Sequence, residues 1–291
     1  MKRSLVRPPG FEPGSTAWKP TNESKICWTD VKTPFLEYLK AQGYYKNTVS
    51  NMVSYLDKYS PVITSPLDIN SLFSKVIKAK RQVIFALRVL FNFYETLGVD
   101  KGFLDCLRKA LPRVECGVDL KIPAESEIVE SLRKLPRIPM RYQALYNLLL
   151  DSGLRFVEGV ALIANFKGAE LVNGFYRCNL AMFRGEKQAY YGHFTESTLK
   201  YIEQAKNAQM DVYVSSHYFY KYRFVMPKYL RKFAFDKMIE LEVPESIADF
   251  IEGRVPKRVG AKHYMALARQ SSKFYPRYVE YITQLRQKAL N

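Results

Sequence analysis

Residues 1–27 carry almost no periodic apolar pattern, and Pro8, Pro9, Pro13 and Pro20 with Gly10 and Gly14 interrupt them throughout. This stretch reads as a tail. From Trp28 the spacing turns helical. Phe35, Leu36 and Leu39 share one face of TPFLEYLKAQGY. Val49, Met52, Val53 and Leu56 line a stripe in NTVSNMVSYLDKYS, where Asn47 is placed to cap. The Pro- and Ser-rich turn SPVITSPLD leads into SLFSKVIKAKRQVIFALRVLFNFYETLG, which holds two helices ending at Gly98. GFLDCLRKAL makes a shorter helix that stops at Pro112. Residues 28–112 are therefore expected to form four or five short helices with basic faces at Lys75, Lys78, Lys80, Arg81 and Arg88.

Residues 113–125 have little periodicity and read as a linker to a second domain over 126–291. In that domain ESEIVESLRKL, MRYQALYNLLLDSG and FVEGVALI read as helices. NGFYRCNLAMFRGEKQAYYGHFTE alternates like a β-hairpin with its turn at Arg184-Gly185-Glu186-Lys187. STLKYIEQAKNA, KYLRKFAFDKMIEL, ESIADFIEGR, GAKHYMALARQ and FYPRYVEYITQLRQKAL return to helix. The expected class is mainly α, with one small antiparallel β-sheet in the second half.

Composition narrows what such a chain can do. Of 291 residues, 47% are hydrophobic, which excludes wholesale disorder, and the length suits two domains. Lys and Arg number 45 against 28 Asp and Glu, a net charge of +17 that points to a polyanionic partner. VIFALRVLFNF and YQALYNLLL fall well short of the roughly 20 apolar residues of a membrane span, and MKRSLVRPPGFEPGS has no apolar core of a secretory signal. Cys27, Cys106, Cys116 and Cys178 lie far apart, and with three His in the whole chain none stands at zinc-ligand spacing. No phosphate-binding glycine loop occurs, so neither metal nor nucleotide cofactor is expected, and the chain reads as a reduced cytoplasmic protein.

The segment LLLDSGLRFVEGVALI (148–163) resembles the first-arginine motif of the tyrosine recombinases, the phage-integrase-like site-specific DNA recombinases. The match gives Arg155 as the arginine and Glu158 as the acid one helical turn on. A guanidinium suits a phosphate that gains negative charge in its transition state, and a carboxylate can orient it. Alone, the pair also fits an ordinary surface Arg–Glu helix contact. About 30 residues on, where the family carries a hairpin lysine, stands Lys187. Its ammonium would be the general acid for the departing oxygen. Lys200 and Lys206, on a helix, fit less well.

MPKYLRKFAFDKM (226–238) resembles the family's His-x-x-Arg box, with Arg231 as the second arginine and Lys228 where the family has His. Lysine is a poor base at its ordinary pKa of about 10.4, so the base would fall to His217 or His263. In SIADFIEGR, Gly253 is in register with the family's third box and Arg254 takes the place of its His or Trp. Ten residues on, Tyr264 stands at the spacing of the nucleophile, which would attack phosphorus to form a 3′-phosphotyrosyl link. Tyr275, Tyr278 and Tyr281 compete for that role but recur at core-like helical spacing.

The resemblance implies a helical DNA core-binding domain at 28–112 and a catalytic domain at 126–291 of the tyrosine recombinase fold. It implies a recombinase that integrates or excises a mobile element without metal or ATP. The partners would be double-stranded DNA and further copies of the chain, a tetramer on paired sites and a monomer or dimer when free. Location would be the host cytoplasm, on DNA. Further basic residues near the proposed site, Lys221, Arg223, Lys257, Arg258 and Lys262, would neutralise phosphate and make binding steeply salt-dependent. Two domains joined by a linker would close as a clamp on the duplex.

Loss of both histidines resembles integrases of archaeal viruses and plasmids. Gly10-Phe11-Glu12-Pro13 back-translates to a string like the TΨC arm of a tRNA gene. That would put the attachment site inside the integrase gene. Two other readings stay open at this level: a non-catalytic DNA-binding protein derived from the fold, and a DNA-relaxing enzyme like the type IB topoisomerases.

Overall fold

The computed structural model describes residues 25–113, 117–184, 187–255 and 266–290. The chain divides into two compact units, Met1–Val118 and Asp119–Asn291.

In the first unit the helices are α1 (Trp28–Ala41), α2 (Lys46–Tyr59), α3 (Pro66–Lys75), α4 (Lys80–Thr96) and α5 (Lys101–Ala110). Helix α4 is the centre of the packing. Its buried residues, Val83, Ile84, Leu87, Leu90, Phe91 and Tyr94 among them, occupy a face too wide for one neighbour. They meet Trp28, Phe35 and Leu39 of α1 and Met52 and Leu56 of α2 in one core. Helix α3 starts on a capping box: Ser65 caps, Pro66 takes the first helical position, and the Asp68 carboxylate accepts from the Ser65 amide at 2.9 Å.

Two local expectations change here. Asn47 does not cap α2, which begins at Lys46 with Tyr45 at the cap position, two residues earlier than expected. Ile26 and Cys27, read as the end of the tail, form a short strand β1 that pairs antiparallel with β2 (Val62–Ile63). Two residues are too few to show a strand period. The buried Tyr94 hydroxyl fixes them, donating to the Cys27 carbonyl at 2.8 Å and accepting from its amide at 2.9 Å. Burial pushes that phenol up to about 12.

The second unit runs α6 (Glu125–Lys134), a 3₁₀ turn (Leu135–Arg137), α7 (Met140–Ser152), α8 (Phe156–Ala164), strands β3 (Glu170–Val172), β4 (Phe175–Arg184) and β5 (Lys187–Phe194), then α9 (Glu196–Ala205), α10 (Val212–Lys221), α11 (Pro227–Glu240), α12 (Glu245–Ile251) and α13 (Leu267–Leu290). The antiparallel sheet has the order β3-β4-β5, and Arg184 pairs with Lys187 at the hairpin end as the alternation predicts. A bulge between Asn179 and Met182 turns Ala181 to a φ of 48°. The mainly α class with a small antiparallel sheet is what the hydrophobic pattern predicts.

Helix α7 is buried on every side from Tyr142 to Ser152 and carries the core. Helix α13 lies against it, and its inward tyrosines satisfy backbone carbonyls. Tyr275 donates to the Asp151 carbonyl at 2.9 Å and Tyr278 to that of Leu150 at 2.8 Å. Arg286 completes the contact with a 2.5 Å bond to the buried Asp151 carboxylate and further bonds to Asn147, Thr195 and Thr198. The last two expected helices are joined: α13 runs from Leu267 across residues 271–273 and through Pro276, because Ser271, Tyr275, Tyr278, Ile282 and Leu285 bury one unbroken stripe. Helix α10 is not among the expected helices; of its residues the sequence offered only His217 and Lys221, as candidates for chemistry and charge.

Candidate active site

The C-terminus of α7 opens the site. Gly153 caps it at a φ of 60° and hands the chain to Arg155, the cap residue of α8. A carboxylate one turn into a helix can reach back to the cap amide, and Glu158 does so. It accepts from the Arg155 amide at 2.9 Å and from Arg155 Nη1 at 3.0 Å, and it is fully buried. Arg155 Nη1 also donates to the Gly253 carbonyl at 2.7 Å. The surface pair that the local sequence equally allowed is thus a buried brace.

Helix α11 delivers Arg231 to the same place. Its Nη1 donates at 2.7 Å to the Gly153 carbonyl and at 2.7 Å to the Glu252 carbonyl. Two arginines from different helices therefore bind consecutive carbonyls of the turn after α12. Gly253 permits that turn: its φ is 74°, and an added Cβ would lie 2.8 Å from Ala189 Cβ on β5. The Gln188 amide donates to the Gly253 carbonyl at 3.2 Å, and Lys187 forms a β-bridge with Arg254. The hairpin lysine and the third-box arginine are thus strand neighbours.

Electrostatics converge on Glu252. It has no exposed surface, lies 3.0 Å from Arg254 Nη2 and 3.4 Å from Arg231 Nη2, and packs over Gly153, where a Cβ would lie 2.6 Å from its Oε1. Burial pushes its carboxyl up to about 8, against the lowering by Arg231, Arg254 and Arg155 and with a contribution from Asp249. Burial likewise lowers Arg231 to about 10, which leaves it charged at neutral pH. Arg254 also reaches Asp249 at 3.3 Å and lies over the Phe235 ring. The sequence reading passed over Glu252 and Asp249. Their only signal is two acids just ahead of the expected Arg254.

The structure brings together Arg155, Glu158, Lys187, Arg231 and Arg254. Lys228 is instead exposed on the first turn of α11, 3.3 Å from Asp119, with its ammonium over the Tyr229 ring. Tyr264, Lys257, Arg258, Lys262 and His263 lie outside the described residues, in the stretch that starts just past Arg254–Val255. His217 is exposed on α10 and stands beside Tyr220. Lys221 and Arg223 are exposed at the end of that helix, where Phe219 is buried and Tyr220 and Tyr222 are exposed. In the first unit Lys75, Lys78, Lys80, Arg81 and Arg88 are all exposed, with exposed Phe85 between the last two in sequence. Tyr275 and Tyr278 are core residues whose burial raises their phenols well above the usual range, and Tyr281 donates to Glu125 at 2.8 Å.

Residues 120–281, more than half of the chain, match the family described as archaeal phage integrase. The chain belongs to the archaeal phage integrase family. Among solved structures, lambda integrase (75–356), a dimer bound to a COC′ core site, is similar over 79% of this chain and 95% of that one, at 11% identity and a TM-score of 0.60. The integrase from mycobacterium phage Brujita aligns at 13% identity, 85% and 92% coverage and a TM-score of 0.39. XerA recombinase aligns at 14% identity, 88% and 98% coverage and a TM-score of 0.34. The first shows that this integrase has the lambda-integrase type of tyrosine recombinase fold. No curated protein matches its sequence. Family membership makes site-specific DNA recombination the general activity of the chain. Among the described residues no helix is long and apolar enough to cross a membrane.

Proposed function

We propose that this integrase cleaves and rejoins duplex DNA through a 3′-phosphotyrosyl intermediate, with Tyr264 as the nucleophile. The Tyr264 oxygen attacks phosphorus as its phenol proton passes to solvent, the bond from phosphorus to the 5′-oxygen breaks, and Lys187 gives that oxygen its proton. The reverse attack by a 5′-hydroxyl reseals the strand and frees the tyrosine. The phosphodiester energy is kept in the covalent link, so neither ATP nor a metal enters the balance. Arg155, Arg231 and Arg254 stabilise the charge that grows on the non-bridging oxygens. Lys228 joins them only by leaving Asp119, since an ammonium on a four-carbon stem can swing between partners.

The observation that carries this reading is the convergence of Arg155 and Arg231 on the consecutive carbonyls of Gly253 and Glu252, each at 2.7 Å. Guanidiniums brought from separate helices to one point, with Arg254 and Lys187 bridged beside them, form a preorganised cation cluster suited to one phosphate. The DNA-bound dimer of lambda integrase supports duplex DNA as partner. In our reading the first unit grips that duplex through Lys75, Lys78, Lys80, Arg81 and Arg88, and recombination proceeds in a tetramer on paired sites. The Gly10–Pro13 segment supports a tRNA gene as the attachment site. A nicked duplex that traps the cleaved state tests the proposal: a covalent protein–DNA band on a denaturing gel is expected from a strand-transfer enzyme and is absent for a binding protein.

A further inference from the structure

Nothing in the strand-transfer chemistry uses Glu252, although it is a fully buried acid among the arginines. Its Oε2 is within ion-pair distance of Arg254 and Arg231, yet neither carboxyl oxygen has a hydrogen-bond partner. Arg231 Nη2 is buried and has none either. Buried polar atoms are nearly always paired, so three orphans in one contact mark a place that a further group completes. The guanidinium lacks an acceptor, and a phosphodiester oxygen is one. The carboxylate lacks donors, and a proton removes that demand by removing its charge.

A phosphate and a carboxylate would compete for the same guanidiniums. In a site this enclosed their mutual repulsion is poorly screened. We propose that Glu252 is a proton-gated counter-ion inside the phosphate site: ionised, it holds Arg231 and Arg254 while DNA is absent; protonated, it yields both to the phosphodiester. Where Glu252 is ionised in the free protein, phosphate binding then draws one proton from solvent. This rests on reading the Arg155–Arg231–Arg254 cluster as the phosphate site.

The groups that face Glu252 set where this happens. Arg155 approaches from the start of α8, Arg231 from α11, Asp249 and Arg254 from α12 and the turn after it, and Tyr278 from α13; Glu158 acts on Arg231 and braces Arg155, and Lys187 on β5 is bridged to Arg254. The arginines favour the ionised form, whereas burial and Asp249 favour the neutral one, and burial prevails. Below about pH 8 the proton is already in place and affinity is flat; above it, each binding event must recruit one, so affinity falls as pH rises.

The test uses the full chain and a short duplex of random sequence at low salt. Wild-type Kd should rise about tenfold from about pH 7 to about pH 9, the ratio set by one proton and a midpoint near 8. Glu252→Gln, a neutral isostere, should hold its pH 7 affinity throughout. Asp249→Asn, which removes a neighbouring negative charge, should keep the dependence but move its midpoint down. Calorimetry near the midpoint in buffers of different ionisation enthalpy should count proton uptake in wild type and none in Glu252→Gln.

An equally steep profile in Glu252→Gln overturns the proposal, as does a uniform loss of affinity at every pH from a folded variant. If Glu252→Gln does not fold, an unmoved midpoint in Asp249→Asn overturns it instead. Failure of the phosphate-site reading looks different. In that case Arg155→Ala and Arg231→Ala would leave duplex affinity and covalent capture unchanged.

Discussion

Arg155 Nη1 donates to the Gly253 carbonyl at 2.7 Å, which joins the cap of α8 to the turn after α12. The bond fixes the guanidinium from one side while Glu158 braces it from the other. Arg155→Ala should lower the rate of covalent complex formation by about 10²–10³, the usual effect of losing one preorganised donor. Arg155→Lys should not restore it, because an ammonium cannot reach carbonyl, carboxylate and phosphate from one planar fork. Duplex binding by a mobility shift should change far less. A lysine variant with wild-type cleavage would contradict the assignment.

Gly253 should tolerate no side chain. Its positive φ and the 2.8 Å approach to Ala189 Cβ both oppose one. Gly253→Ala is expected to cost about 1–3 kcal/mol in denaturant unfolding. It should also depress cleavage, by prising the Arg155 and Arg231 acceptors away from β5. A variant of unchanged stability would show that the turn relaxes freely.

The site is unevenly visible in the sequence, for physical reasons. Arg155 and Lys187 sit at element starts, where a cap pattern and a hairpin turn are local signals. Arg231 is legible from a short box on a helix with Pro227 at its first position. Glu252 is not, because its burial depends on arginines that arrive from three separate elements, and EGR in a string reads only as a helix end. The joining of the last two expected helices into α13 was hidden for a related reason: the buried stripe that carries the helix across residues 271–273 pays off only against α7.

The Arg286–Asp151 contact ties the last helix to the core at 2.5 Å, with Asp151 fully buried. Arg286→Ala would strand that carboxylate, which predicts a loss of about 3–5 kcal/mol in chemical denaturation. A loss under about 1 kcal/mol would mean that Thr195 alone satisfies Asp151.

His193 is fully buried on β5 beside Phe175 and Tyr275, and burial, aided by the charge of Arg177, lowers it to about 3. A histidine depressed on folding takes up its proton more readily when unfolded. Stability should therefore fall as pH drops below the unfolded value of about 6.5, by up to about 1.4 kcal/mol per pH unit from this group until about pH 3. Unfolding curves across that window should be steeper for wild type than for His193→Gln. Equal slopes would remove His193 as the source.

The most direct test of the central claim is covalent capture on a nicked duplex carrying the tRNA-derived site, with wild type, Tyr264→Phe, Tyr275→Phe and Tyr278→Phe run side by side. The account predicts a covalent band for wild type and for the two core variants, and none for Tyr264→Phe, which should still bind duplex. A band that survives in Tyr264→Phe, or no band from a wild-type protein that binds the duplex, would contradict it.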